Sequence, residues 1–270
     1  MKNPGDSKYS NRPYQLVQNV RVYRPADDPY VENYEKIASD HAASQEVGLG
    51  NPFIEEQIWK DLEANTIDLI SIYAKDCDSI VDVGVGTGRL LAHFPKLERY
   101  GLDISLTYIS RLGSSGIQVC VGAIEDLPYA SDAFDIVVCT DVLEHVIDLH
   151  KALLELKRVI RPGGVLIVRV PYREDLSLYL EPEYPYQLAH VRNFDEHGLR
   201  LQFERVHGFV RLDERFDRAF SPSRFFLPFP RGRTQITKLV DRLARGMGNA
   251  RAWALRLYRP VSITVAYRKV

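Results

Sequence analysis

The 270-residue chain is poor in sulfur, with three cysteines (Cys77, Cys120, Cys139) and two methionines. Three thiols cannot all pair, none stands at a zinc-type spacing, and Cys120 and Cys139 lie in apolar runs, where a free thiol behaves as a small hydrophobe. A disulfide scaffold and a cysteine metal centre are thereby excluded, and a reducing, cytoplasmic setting is the expectation. Long hydrophobic runs are also lacking. No stretch approaches the roughly 20 apolar residues of a membrane span, and the opening Met-Lys-Asn-Pro-Gly-Asp holds no apolar signal core. Net charge is almost absent, −1 from 35 Lys/Arg and 36 Asp/Glu, so no global field draws the chain to nucleic acid or membrane. Internal repeats and low-complexity tracts are missing too.

The charge that is present is unevenly placed. Residues 231–270 carry ten Lys/Arg against one acid, Asp241, which leaves the first 230 residues near −10. Over 234–258, Ile236, Leu239, Val240, Leu243, Met247, Trp253 and Leu257 fall at helical spacing. Lys238, Arg242, Arg245, Arg251 and Arg256 occupy other faces. Such a basic helical segment suits three partners: the body of the protein or a second copy in a homodimer, an anionic membrane surface, or RNA or another polyanion.

Hydrophobic period divides the rest. Residues 1–50 are polar and rich in Tyr, Pro and Asp, with a helical pattern over 28–44, and read as an N-terminal cap or lid. A helical pattern covers 52–75. From residue 79 short apolar runs at 79–83, 100–104, 117–121, 133–139 and 165–170 read as strands. Helical stretches begin at Arg89 and cover 106–112 and 149–159 between them, and Arg161-Pro162-Gly163-Gly164 is a turn signal. Residues 195–207 read as a helix, and 209–216 and 261–268 as two late strands. Alternating strands and helices imply an α/β fold, a Rossmann-like, doubly wound, mostly parallel sheet with an antiparallel late strand. The expected division is a cap at 1–50, a core at 51–217 with 261–270, and an inserted basic helical segment at 218–260.

One segment has the grammar of a ligand loop. Val81-Asp82-Val83-Gly84-Val85-Gly86-Thr87-Gly88-Arg89-Leu90-Leu91 runs strand, glycine turn, helix. Glycines permit a tight turn and a close backbone approach. Nineteen residues past Gly84, Asp103 ends the next strand, where an acid accepts hydrogen bonds from two ribose hydroxyls. The spacing is Gly-x-Gly-x-Gly rather than the dinucleotide Gly-x-Gly-x-x-Gly, and Asp82 stands just before it. A carboxylate there repels a pyrophosphate and suits an ammonium.

These residues resemble the first two motifs of class I S-adenosylmethionine-dependent methyltransferases, the second being Gly101-Leu102-Asp103-Ile104-Ser105. Residues 122–128 with 134–138, Thr140-Asp141-Val142-Leu143-Glu144-His145-Val146, and residues 161–164 continue the resemblance over about 80–210. It implies that S-adenosyl-L-methionine binds at Asp82, Gly84, Gly86, Gly88, Asp103, Ile104, Ile124, Glu125, Cys139 and Thr140, and leaves as S-adenosyl-L-homocysteine. Within that implication Asp82 faces the methionyl ammonium, Asp103 the ribose and Ile104 the adenine, with Cys139 and Thr140 on the methionyl side. Many relatives have Asp where this chain has Ala123; Glu125 is the carboxylate left to substitute.

The acceptor side is less defined. Asp141-x-x-Glu144-His145 reads as a structural helix start, as a site with His145 the base or substrate contact, or as a divalent-metal site of Asp141, Glu144 and His145. The last pattern is similar to that of quinone-biosynthesis O-methyltransferases. His190, in a His-x-Arg-x-Phe pattern similar to that of relatives acting on sugars and natural products, reads as a base, a substrate contact or a loop anchor. Pro171, Tyr172, Tyr179, Tyr184 and Tyr186 are candidates to line an acceptor pocket. The expected reaction is methylation of a small-molecule acceptor at a hydroxyl of a sugar, glycan-related or natural-product substrate. N-methylation of an amine and methylation of an RNA stand as alternatives, with a non-catalytic cofactor-binding subunit as a further one.

Overall fold

The computed structural model describes residues 8–24, 28–48, 51, 56–75, 77–220, 243 and 258–270. The expected basic insertion, and with it any membrane, polyanion or homodimer contact through 234–258, lies outside the described residues save for residues 218–220 at the end of one late strand, Leu243 and the start of the last strand.

Nine strands form one sheet among the described residues: β1 (Gln15–Val17), β2 (Val20–Val22), β3 (Ser79–Val83), β4 (Glu98–Asp103), β5 (Gln118–Val121), β6 (Phe134–Thr140), β7 (Ile160–Pro171), β8 (Phe209–Phe220) and β9 (Tyr258–Lys269). Their order is β1-β2-β5-β4-β3-β6-β7-β9-β8. The run from β2 to β7 is parallel throughout, β1 is antiparallel to β2, and β9 is antiparallel to both β7 and β8. The α-helices among the described residues are α1 (Pro29–Glu46), α2 (Glu56–Tyr73), α3 (Arg89–Ala92), α4 (Leu106–Ser110), α5 (Leu149–Val159) and α6 (Glu196–Leu199). None of the described helices is long and apolar enough to cross a membrane.

The central strands are buried on both faces, which is why β3 is buried at all five positions and reads as an unbroken apolar run around Asp82. Two apolar clusters cover the two faces. One holds Leu153, Leu156 and Val159 of α5 with Tyr100 and Phe134. The other holds Leu69 and Ile70 of α2 with Leu91, Ile109 and Ile167. In α5 the buried residues Ala152, Leu153, Leu156 and Val159 recur at helical spacing, and the Asp148 carboxylate caps the helix by accepting from Lys151 N at 3.0 Å.

Three local expectations change. The turn expected at residues 161–164 is a bulge inside β7, because Phe134 pairs with Ile160 and Ile136 already pairs with Val165, with Gly163 at φ +76° taking up the excess chain. The helix expected over 195–207 is the single turn α6 followed by a π-helical stretch, Arg200–Val206. The N-terminal segment is more than a cap. Residues 15–22 form a hairpin through Gln18 and Asn19, both at positive φ, and β2 pairs with β5 to extend the main sheet. Its strands are only three residues each, too short to show alternation. The remaining part, α1, lies against α4 over the carboxyl ends of the strands.

Candidate active site

Because β4 and β6 leave β3 on opposite sides, a crevice opens at its carboxyl end, where ligands bind in such sheets. The chain leaves β3 through Gly84 at φ +90°, where a Cβ would stand 2.2 Å from Val142 Cγ2, so only hydrogen fits. At Gly86 the same construction meets nothing within 4 Å: the backbone faces open space, and its N–H donates to Asp103 Oδ2 at 2.9 Å. Asp103 Oδ1 accepts from Ser105 N at 2.9 Å. Burial outweighs these hydrogen bonds and pushes the Asp103 carboxyl up to about 6.

Asp82 is more extreme. It is 3% exposed and its Oδ1 has no hydrogen-bond partner. Burial drives its pKa well above the carboxylate range, with the Arg169 guanidinium opposing. Arg169, equally buried on β7, forks onto the Asp141 carboxylate through Nε (3.1 Å) and Nη2, and donates from Nη1 to Thr66 Oγ1 at 3.2 Å. Asp141 itself sits at φ +55°, a left-handed conformation held by that fork and by its N–H donating to Arg169 O.

Past β6, Glu144 is 1% exposed and neither carboxylate oxygen has a partner. Burial, then the Asp141 charge, holds it well above the usual carboxylate range. The His145 and His190 rings meet edge to face with centroids 4.5 Å apart. Burial and the neighbouring His190 lower His145 to about 4. His190 Nδ1 is hydrogen-bonded to the Glu174 carboxylate, which also accepts from the Tyr179 hydroxyl at 2.6 Å. From α1, Tyr34 packs on His145 with ring centroids 5.5 Å apart, and the Tyr30 hydroxyl donates to His145 O.

A single cavity of about 750 Å³ joins the two ends, within the range of small-molecule sites. Of the expected cofactor residues, Asp82, Gly84, Gly86, Asp103, Ile104, Ile124, Glu125 and Thr140 line it. Two do not. Cys139 points into the apolar cluster under α5, as alternation along β6 requires. Gly88 packs instead on the segment after α4: a Cβ there would meet Leu112 Cδ2 at 2.9 Å. His145 and His190 both line the cavity, as do Pro171, Tyr179, Tyr184 and Tyr186. Tyr172 turns away, packing on Phe216 and donating to Glu196 Oε2 at 2.6 Å. The expected metal set also changes. Asp141 is taken by Arg169, and the groups that come together are Glu144, His145 and His190, with ligand atoms all within 4.8 Å of one another.

Sequence reasoning missed Arg169, Glu174, Tyr30 and Tyr34. A signal existed for Arg169, a cation inside the otherwise apolar strand 165–170, and for the tyrosines, four residues apart on one helical face. Glu174 carried none.

The polar geometry fits S-adenosylmethionine. The orphaned Asp82 oxygen asks for a donor such as an ammonium, Asp103 stands one strand away for ribose hydroxyls, and the open position at Gly86 lets backbone approach. Residues 81–168 match the family model described as a methyltransferase domain. An uncharacterised methyltransferase of Schizosaccharomyces pombe is 33% identical over 134 residues, 43% of this chain and 48% of its own length. A malonyl-[acyl-carrier protein] O-methyltransferase of Methylococcus capsulatus is 32% identical over 156 residues, 53% of this chain and 57% of its own. The chain spans about half the length of the curated relatives it matches. Among solved structures, the methyltransferase in complex with the Trm112 methyltransferase activator of Haloferax volcanii superposes with a TM-score of 0.59 at 17% identity, covering 89% of this chain and 97% of that one. Residues 81–168 thus match a methyltransferase domain, carried on a sheet of the Rossmann-like fold seen in S-adenosylmethionine-dependent methyltransferases.

Proposed function

We propose that the protein transfers a methyl group from S-adenosylmethionine to a hydroxyl of a small molecule, a sugar, glycan-related or natural-product acceptor, releasing S-adenosylhomocysteine. The observation that carries this reading is the continuity of one cavity from Asp82 and Asp103 to His145 and His190. Bound S-adenosylmethionine would supply a methyl carbon on a sulfonium, open to in-line attack by the acceptor oxygen with the thioether of S-adenosylhomocysteine as leaving group. The Asp82 carboxylate binds the methionyl ammonium, and losing its burial penalty to that cation returns it to the ionised form. Asp103, already fixed by Gly86 and Ser105, accepts from the ribose hydroxyls, while Ile104 and Ile124 flank the adenine and Glu125 stands in for the missing acid at position 123. Tyr30, Tyr34, Tyr179 and Tyr184 wall the acceptor end, excluding water and orienting the acceptor. The Glu144–His145–His190 cluster accounts for the hydroxyl proton.

Calorimetric titration with S-adenosylhomocysteine tests the first half: wild type binds, and Asp103→Ala weakens binding about 10- to 100-fold, the value of hydrogen bonds to a charged group. No binding by wild type overturns the proposal. For the second half, His190→Ala lowers methyl transfer to a hydroxyl acceptor by about 10²- to 10⁴-fold while cofactor affinity is kept. Undiminished turnover in that variant removes the hydroxyl assignment and leaves an amine, which needs less base assistance.

A further inference from the structure

We propose that Glu144, His145 and His190 form a binding site for a divalent transition-metal ion at the acceptor end of the cavity. Each offers one ligand atom, and the three atoms lie within 4.8 Å of one another. What singles the cluster out is that its buried ligand atoms lack partners. Glu144 has neither oxygen partnered, and His145 Nδ1 is buried with no partner. His190 is held by its other nitrogen, Nδ1, which donates to Glu174. That fixes the His190 tautomer and leaves its Nε2 lone pair free. Buried polar atoms left without a partner are costly, and a bound cation removes the cost. Pinning the distal imidazole nitrogen by a carbonyl or a carboxylate is also how proteins orient histidines that bind metals.

The donor set decides the ion. Two imidazoles and one carboxylate suit Zn²⁺, Fe²⁺ or Co²⁺, whereas Mg²⁺ and Ca²⁺ prefer oxygen alone. The Arg169 fork withdraws Asp141, which would have made the set richer in oxygen. Resting on the methyl-transfer reading, the cluster would account for the hydroxyl proton through the ion rather than as a free base: the ion would bind the acceptor oxygen and acidify its hydroxyl, and the proton would pass to solvent.

Titration of tag-free protein with Co²⁺, followed by its visible d–d absorption, tests the site without turnover. Wild type binds one Co²⁺ per chain, Zn²⁺ displaces it, and Mg²⁺ at the same concentration does not. Glu144→Gln and His190→Ala each weaken binding at least about tenfold, and Glu174→Gln, which touches no ion, weakens it about tenfold by releasing His190. Circular dichroism and melting verify that each variant is folded. Absence of the Co²⁺ bands in wild type, bands unchanged in His190→Ala, or displacement by Mg²⁺ as effective as by Zn²⁺ overturns the proposal. S-adenosylhomocysteine titrated into the chelator-treated protein separates the two readings: cofactor binding without Co²⁺ binding removes the metal site alone, and Co²⁺ binding without cofactor binding removes methyl transfer alone.

Discussion

At the glycine-loop end of the cavity Asp103 is held by Gly86 and Ser105, and Gly84 and Gly86 shape a turn within one strand–loop–helix unit. At the histidine end, Glu144 and His145 meet Tyr30 and Tyr34 from α1, and Glu174 and His190 from beyond β7. The first end is made by neighbours in sequence and the second by residues more than a hundred positions apart. On the proposed reading, the first fixes what every acceptor reaction would share, the donor, and the second is free to set which acceptor is used.

Arg169 is where the two ends join, since its charge serves Asp82 at one and its guanidinium holds Asp141 at the other. Arg169→Met should thus have the largest effect, removing a buried cation and leaving two carboxylates uncompensated. The expected loss is about 3–5 kcal/mol in chemical denaturation. A loss near zero would mean that each end is stabilised independently and that the fork is incidental.

A second experiment weighs the cofactor end by itself. The Asp103 carboxyl rises from 3.8 to about 6, first by burial and with a smaller push from Glu35. Its folded pKa lies above the unfolded one, so its proton stabilises the empty protein at low pH, and that contribution is lost as pH rises from about 4 through 6. The size is about 3 kcal/mol. Cofactor binding runs the other way, because ribose hydroxyls need the ionised acceptor: affinity for S-adenosylhomocysteine should rise over the same interval. Opposite slopes in melting and in calorimetry are the expected pair, and Asp103→Asn should flatten both. Parallel slopes would assign the titration to another group.

Legibility in the sequence follows the same division. The sheet from β3 to β7 was readable because buried parallel strands are apolar runs and their glycine turn has one steric reason. The hairpin Gln15–Val22 was not, because three-residue strands are too short to show a period and their pairing to β5 is long-range. At the site, Asp82 and Asp103 were legible as acids at strand ends. Cys139 was misplaced because a run buried on both faces does not announce which residues face the crevice. The identity of the third partner beside Glu144 and His145 depended on Asp141 being drawn to Arg169 and on the loop carrying His190 folding back, neither of which local spacing encodes.

The smallest expected effect concerns how the acceptor end is closed. Glu35 of α1 accepts from Ser105 Oγ at 2.7 Å, Leu106 N at 2.6 Å and Thr107 N at 3.2 Å, and pairs with Arg24 at 2.7 Å. Burial would raise its pKa, yet these donors outweigh that and hold it below the ordinary value. The stabilisation is therefore present above the unfolded pKa and is lost as pH falls through the folded one. Glu35→Gln keeps the shape and loses the charge, a change of about 1–2 kcal/mol for partly exposed charge-assisted bonds. Because Glu35 ties α1 to the start of α4, the loss should appear as local opening. Hydrogen exchange in α1 should speed up while amides of β3 and β6 exchange as before. Equal acceleration in α1 and the sheet would show the cap and core to be one cooperative unit. Unchanged exchange in both would instead assign the closure to Asn33, whose side chain exchanges two hydrogen bonds with Leu188 on the loop leading to His190.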